Sequence, residues 1–143
     1  MSKRYLTPIL PVLTCLLALN SGCSSGSKEP RTYPVKGTVL FQGEPPTGAK
    51  VAFIPVDDTE AAPAWGVVDD DGRFQLTTRK HLDGAQKGEY YVTVSWVKAI
   101  NPNSNDTDYT DELLPKKYQD PKASDLIVVV DAKSNQLEPI ELN

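Results

Sequence analysis

Two cysteines, one histidine and one methionine are all the sulfur and imidazole in a chain of 143 residues. Both cysteines, Cys15 and Cys23, lie close to the N-terminus, so no disulfide can form within a domain that follows them, and its stability must come from packing. The one histidine, His81, stands in the polar stretch TRKHLDG, which reads as a surface turn. A zinc cluster built on histidines is excluded, and nothing sets a nucleophile, a base and an orienting group together. No enzymatic activity and no cofactor are therefore expected. The chain also has no basic excess, with 15 Lys and Arg against 19 Asp and Glu, which argues against a nucleic-acid partner. Long apolar runs are missing too. The most apolar stretch, LTPILPVLTCLLAL from Leu6 to Leu19, would span only about 21 Å as a helix, short of a ~30 Å hydrocarbon core.

That stretch reads instead as the hydrophobic region of an export signal, because Lys3 and Arg4 precede it and the small residues Ser21 and Gly22 follow. Cys23 comes next, followed by the polar run SSGSKEP. The order resembles a lipobox, with Asn20 where Leu is usual and Leu19 one place further away. The resemblance implies a lipoprotein signal peptide over residues 1–22. Cys23 then becomes the first residue and carries diacylglycerol and a palmitate-type acyl chain, which together hold the protein on a membrane. The alternative is an ordinary signal peptide ending near Gly22, with Cys23 a spare thiol. Ser24, the second mature residue, lacks the acidic character of inner-membrane retention, which favours the outer membrane of the cell envelope. Loss of Lys3 and Arg4 with the signal leaves 13 cations against 19 anions, a net charge of −6.

Residues 23–31 are then the lipidated Cys23 and a flexible tether, whose residues 24–31 offer no apolar anchor. From residue 32 to 143 the pattern has a period of two. Val35, Gly37, Val39 and Phe41 mark one strand face, and Val51 and Phe53 a second. Trp65 and Val67, then Phe74 and Leu76, belong to a third and a fourth, and Tyr90, Val92, Val94 and Trp96 share one face of a fifth. LIVVV, 126–130, is a continuous β-branched run suited to a central strand covered on both sides. Pro139 places the last strand, Leu137 to Leu142, on an edge. Seven short strands without a helical period indicate one β-sandwich domain.

Two acidic stretches raise the question of a cation. VVDDDGRFQL, 67–76, lacks the spacing of a calcium loop, and its Asp71-Gly72 pair between apolar strands predicts a two-residue hairpin turn with both residues at positive φ. Residues 98–125 form the longest irregular stretch. Asn101, Asn103, Asn105 and Glu112 fall in a calcium-loop register, but Asp106 stands where glycine makes the sharp turn and the leading ligand is neutral. A solvated loop is the preferred reading, against a weak millimolar calcium site made of Asp106, Asp108, Asp111 and Glu112. In DELLPKKY, one helical turn would let Leu113, Leu114 and Tyr118 cap the end of the sandwich.

The stretches VKGTVLFQGEPPTGAKVAFIP, GVVDDDGRFQLTT, KGEYYVTVSW and LLPKKYQDPKASDL, with the final strand, occur in an order that resembles small bacterial lipoproteins of planctomycetal type. Those proteins carry a carboxypeptidase-regulatory-like or transthyretin-like domain. The resemblance implies a seven-stranded Greek-key β-sandwich and a non-enzymatic role, and it supplies no catalytic residue. Two functions follow as expectations. One is a structural or protein-interaction module displayed on the envelope, and the other a carbohydrate-binding module stacking sugars on Trp65, Trp96, Tyr91 or Tyr109. An exposed coplanar pair of aromatics favours the second, and buried aromatics favour the first. The anchor is tested directly: Cys23→Ser should shift the protein to soluble fractions and abolish incorporation of labelled fatty acid, and unchanged labelling would refute lipidation at this thiol.

Overall fold

Strands this short are stable only when their apolar faces cover one another. The computed structural model shows how they do so over residues 29–57, 61–102 and 107–143. The expected signal peptide and Cys23 lie outside the described residues. Among the described residues ten strands form an all-β, sandwich-like arrangement. They are β1 (Thr32–Tyr33), β2 (Val35–Phe41), β3 (Lys50–Pro55), β4 (Ala64–Val67), β5 (Arg73–Gln75), β6 (Ala85–Gln86), β7 (Gly88–Ser95), β8 (Ile127–Val130), β9 (Asn135–Gln136) and β10 (Ile140–Leu142). The seven strands expected each have a counterpart in β2, β3, β4, β5, β7, β8 and β10; the additional three are two residues long. One sheet runs β4-β3-β7-β8, and the facing sheet runs β10-β2-β5, with β1 and β6 paired as a separate two-stranded sheet. β9 also pairs with β2, and both β9 and β10 run parallel to it.

The core lies between the sheets. Val35 and Val39 of β2, Val51 and Phe53 of β3, Tyr90, Val92 and Val94 of β7, and Phe74, Leu76 and Leu142 are buried. Phe53 touches Phe74 of the opposite sheet at 6.2 Å between ring centroids and Tyr90 of its own sheet at 5.9 Å. Each such aromatic contributes about 1.5–3 kcal/mol by burial. Gly37 is part of this fit, because a Cβ there would stand 2.6 Å from the Phe74 ring.

One strand differs from the sequence reading, and another takes a phase that the sequence reading left open. Trp65 and Val67 face outward, while the small residues Ala64 and Gly66 of β4 turn inward. The apolar alternation is legible, but the inward phase takes small residues, because a Cβ at Gly66 would stand 2.5 Å from the Gln75 carbonyl. The LIVVV run is not central: β8 is an edge strand, with Ile127 53% and Val129 60% exposed. A β-branched run satisfies strand propensity on either kind of strand, and propensity does not fix rank in the sheet. Pro139 lies between β9 and β10 at the edge of the other sheet, as expected.

The described parts of the 98–125 stretch, 98–102 and 107–125, are also more ordered than their composition suggests. Backbone bonds join Ile100 to Asp108 and Thr110 to Lys98, both at 2.8 Å. A 3₁₀ turn over Lys116–Gln119 follows, and Leu114 and Tyr118 are buried against the core, whereas Leu113 is exposed. Tyr118 Oη receives the Asn143 amide at 2.8 Å and donates to the Asn143 carbonyl at 2.9 Å.

The DDDG turn reverses the chain as expected but by a different geometry. Gly72 has φ of +79°, whereas Asp71 stays at negative φ. The Gly72 amide donates to the Asp69 carbonyl at 3.0 Å and the Asp69 amide to the Arg73 carbonyl at 2.9 Å. Asp70, Asp71 and Gly72 thus form a three-residue loop built on a type I turn with glycine in the left-handed position. Asp69 Oδ1 supports it by accepting the amides of Asp71 at 3.0 Å and Arg73 at 2.8 Å. Gly72→Val should lower stability by roughly 1–3 kcal/mol, because the φ is left-handed and a Cβ would lie 2.9 Å from the Val39 carbonyl. Asp69→Ala should cost about 1 kcal/mol, and Asp70→Asn less than about 0.5 kcal/mol. Denaturation midpoints measure the order, and a midpoint for Gly72→Val equal to that of Asp70→Asn would refute the turn.

Candidate functional site

The groups singled out in the sequence do not converge. Glu112 is occupied: Oε2 accepts the Ser95 hydroxyl at 2.7 Å, and Oε1 accepts the amides of Trp96 at 2.6 Å and Leu114 at 3.3 Å. It therefore fastens the irregular stretch to the end of β7. Asp108 and Asp111 are exposed, and Asp106 lies outside the described residues. Among the described residues, no three His, Cys, Asp or Glu side chains are grouped to hold a metal ion.

The aromatics are dispersed as well. Trp96 is half-buried, packs edge-on against Phe41 at 6.4 Å and donates from Nε1 to the Thr47 carbonyl at 2.9 Å. Tyr91 is half-buried on β7, and Tyr109 is exposed beside Ala99. Trp65 is 46% exposed, with Lys50 Nζ 5.6 Å from its ring centroid. Among the described residues, no ring contact joins Trp65, Tyr91 and Tyr109 into a coplanar platform.

Trp65 lines an open cleft of about 440 Å³ with Gln75, Thr77, His81 and Leu82. Its shape follows from the backbone. Trp65 and Thr77 exchange both amide bonds, at 2.9 and 2.8 Å, which holds β4 to the chain beyond β5. The loop after Thr77 is wound around Asp83, whose carboxylate accepts the amides of Thr78 at 2.7 Å, Lys80 at 3.1 Å and Arg79 at 3.2 Å. Burial pushes the Asp83 carboxyl up, but these amides together outweigh it and hold the group below the ordinary carboxylate value. The stability it lends is present above the ordinary carboxylate pKa and is lost as pH falls through the lower folded value.

The opposite side of the sandwich carries a feature the sequence reading missed. On the Trp65 side, the two sheets are joined by the Trp65–Thr77 and Asp69–Arg73 bonds. On the other side, they are joined at the turn between β8 and β9, where Asn135 Oδ1 accepts the Asp131 amide at 2.9 Å and Asn135 Nδ2 donates to the Asp131 carbonyl at 3.1 Å. Beyond that turn the chains diverge, and no ladder links β8 to β9 or β10 among the described residues. The seam is a groove of about 480 Å³, walled by Leu126 and Val128 on one side and Leu137 and Ile140 on the other. Asp125, Glu138 and Glu141 line it as well, and neither Lys nor Arg does. The Val92 amide bonds the Leu126 carbonyl at 2.9 Å, so alternate residues Leu126, Val128 and Val130 face β7 with their backbone groups. Ile127 and Val129 therefore direct theirs outward along the seam. The exposed alternation of Ile127 and Val129 was the available signal, and it is masked by the continuous apolar run.

No family model matches the chain, and no curated protein matches it in sequence. Among solved structures it is similar to a 9R-lipoxygenase from Cyanothece PCC8801, with a TM-score of 0.45 and 15% identity over 78% of this chain and 16% of that one. It is also similar to a DUF3823 family protein from Parabacteroides merdae ATCC 43184, with a TM-score of 0.42 and 14% identity over 80% of this chain and 47% of that one. The chain thus spans a minor share of the lipoxygenase and just under half of the second protein. At these TM-scores neither likeness bears on function, and the sandwich-like arrangement rests on the strand pairing itself. For the acidic stretches, millimolar calcium should leave the melting temperature unchanged, because Glu112 already has three donors. A ligand at a hundred times its Kd adds about 2.7 kcal/mol, so an upward shift of several degrees, lost in Asp111→Ala, would restore the calcium reading.

Proposed function

We propose that this chain is a cell-envelope lipoprotein, anchored to the outer membrane through a lipidated Cys23, whose domain is a non-catalytic protein-interaction module. The finer reading of the domain is a carboxypeptidase-regulatory-like or transthyretin-like Greek-key sandwich. The anchor is supported by the order of Lys3, the apolar stretch, Gly22 and Cys23. The single observation that carries the interaction is the open seam, where Ile127 and Val129 are exposed on an edge strand with outward backbone groups. Folded domains usually cover or charge such an edge, because it is a ready template for another chain. Here it is left apolar.

A carbohydrate-binding module of the envelope is the second reading, favoured by Trp65 at 46% exposure beside Gln75 and His81 in the open cleft. The lone ring gives it less contact area than a paired platform. A photo-crosslinking residue at Val129, compared in intact cells with one at the similarly exposed Val67, separates the two. Protein adducts at position 129 and none at 67 are expected, with Trp65→Ala leaving co-sedimentation with envelope polysaccharide unchanged. No adduct at 129, or loss of sedimentation in Trp65→Ala, would overturn the interaction reading.

A further inference from the structure

The seam specifies what kind of partner it takes, an inference that rests on the interaction reading above. Ile127 and Val129 each present one amide and one carbonyl along the free edge of β8, at the spacing of a strand ladder. A helix has no backbone groups to offer such an edge, whereas an extended segment satisfies it completely. The groove beside the edge has apolar walls at Leu126, Val128, Leu137 and Ile140, which take the inward side chains of an added strand. Its carboxylates are Asp125, Glu138 and Glu141, with no cation among the lining residues. The nearby Lys133 is paired with Asp131 at 3.4 Å. Negative charge at that rim repels an acidic segment and attracts a basic one.

We infer that the seam binds an extended segment of a partner protein in which apolar and basic residues alternate, added to β8 as a fifth strand of the β4-β3-β7-β8 sheet. The apolar residues enter the groove and the basic ones meet the carboxylate rim. The segment also closes the side of the sandwich that the β8–β9 turn leaves open.

The test uses the full lipidated protein in detergent micelles and a short fluorescent peptide alternating lysine and valine, followed by anisotropy. Two control peptides accompany it: one with glutamate in place of lysine, and one with alternate backbone amides N-methylated. The lysine peptide should bind, and both controls should bind roughly tenfold more weakly or worse. Val129→Pro removes one outward amide at an edge position that tolerates proline, and should weaken binding by a similar factor. Glu138→Lys combined with Glu141→Lys should weaken the lysine peptide and strengthen the glutamate peptide. Thermal melts of each variant confirm that it is folded. Absence of binding by the lysine peptide, equal binding of the glutamate or N-methylated peptide, or a dimer that Val129→Pro dissociates would each overturn the inference. If crosslinking at position 129 persists while the peptides fail, the face is used by a partner but not by strand addition. Failure of both removes the interaction reading itself.

Discussion

The fit of the Phe74 ring against Gly37 governs how the two sheets approach. With no side chain at Gly37, the ring lies over the β2 backbone, where a Cβ would be 2.6 Å away, and from there it reaches Phe53 of the opposite sheet. Phe53 in turn packs on Tyr90, so one chain of aromatic contacts crosses from β5 through β3 to β7. The valines of β2, β3 and β7 fill the space around it at full burial. A close-packed interior tolerates little change in volume, so the separation of the sheets is set here and transmitted to both flanks.

At the flanks the same separation has opposite outcomes. On one side, a three-residue loop at Asp70, Asp71 and Gly72 turns the chain from one sheet to the other, and Gly72 bonds back to Val39 of β2 at 2.8 Å. The hydrogen bonds between Trp65 and Thr77 then continue the closure. On the other side, closure is confined to the turn at Asp131–Asn135, held by the Asn135 side chain and by the Lys133 amide on the Asp131 carbonyl at 2.8 Å. β9 and β10 are committed to β2 by parallel pairing and cannot also follow β8. The open seam is thus a geometric consequence of where those short strands pair.

The excess of acids acquires a local explanation. Asp69, Asp83, Glu112 and Asp120 each accept two or more backbone amides within loops. Carboxylates used in this way replace the ladder bonds that irregular segments lack, and they need no cation to be stable. The acids left over at the seam, Asp125, Glu138 and Glu141, are not part of such loops and give that groove its sign.

Alternation at Val35, Val39, Val51, Phe53, Tyr90, Val92 and Val94 was enough to determine the strands and their buried faces, because a half-covered strand must present every second side chain to the core. The reversal at Gly72 was equally legible, since few other residues take that φ. Its turn type was not, because Asp69 chose it by accepting two amides across the loop. Rank within a sheet was beyond the sequence for the same kind of reason. LIVVV has the composition of a central strand, yet β8 sits at an edge because β9 and β10 are held by β2, a contact between residues about a hundred positions apart. The sequence determined the elements through local periodicity and backbone sterics; the open seam, its free amides and its acidic rim were decided by long-range pairing alone.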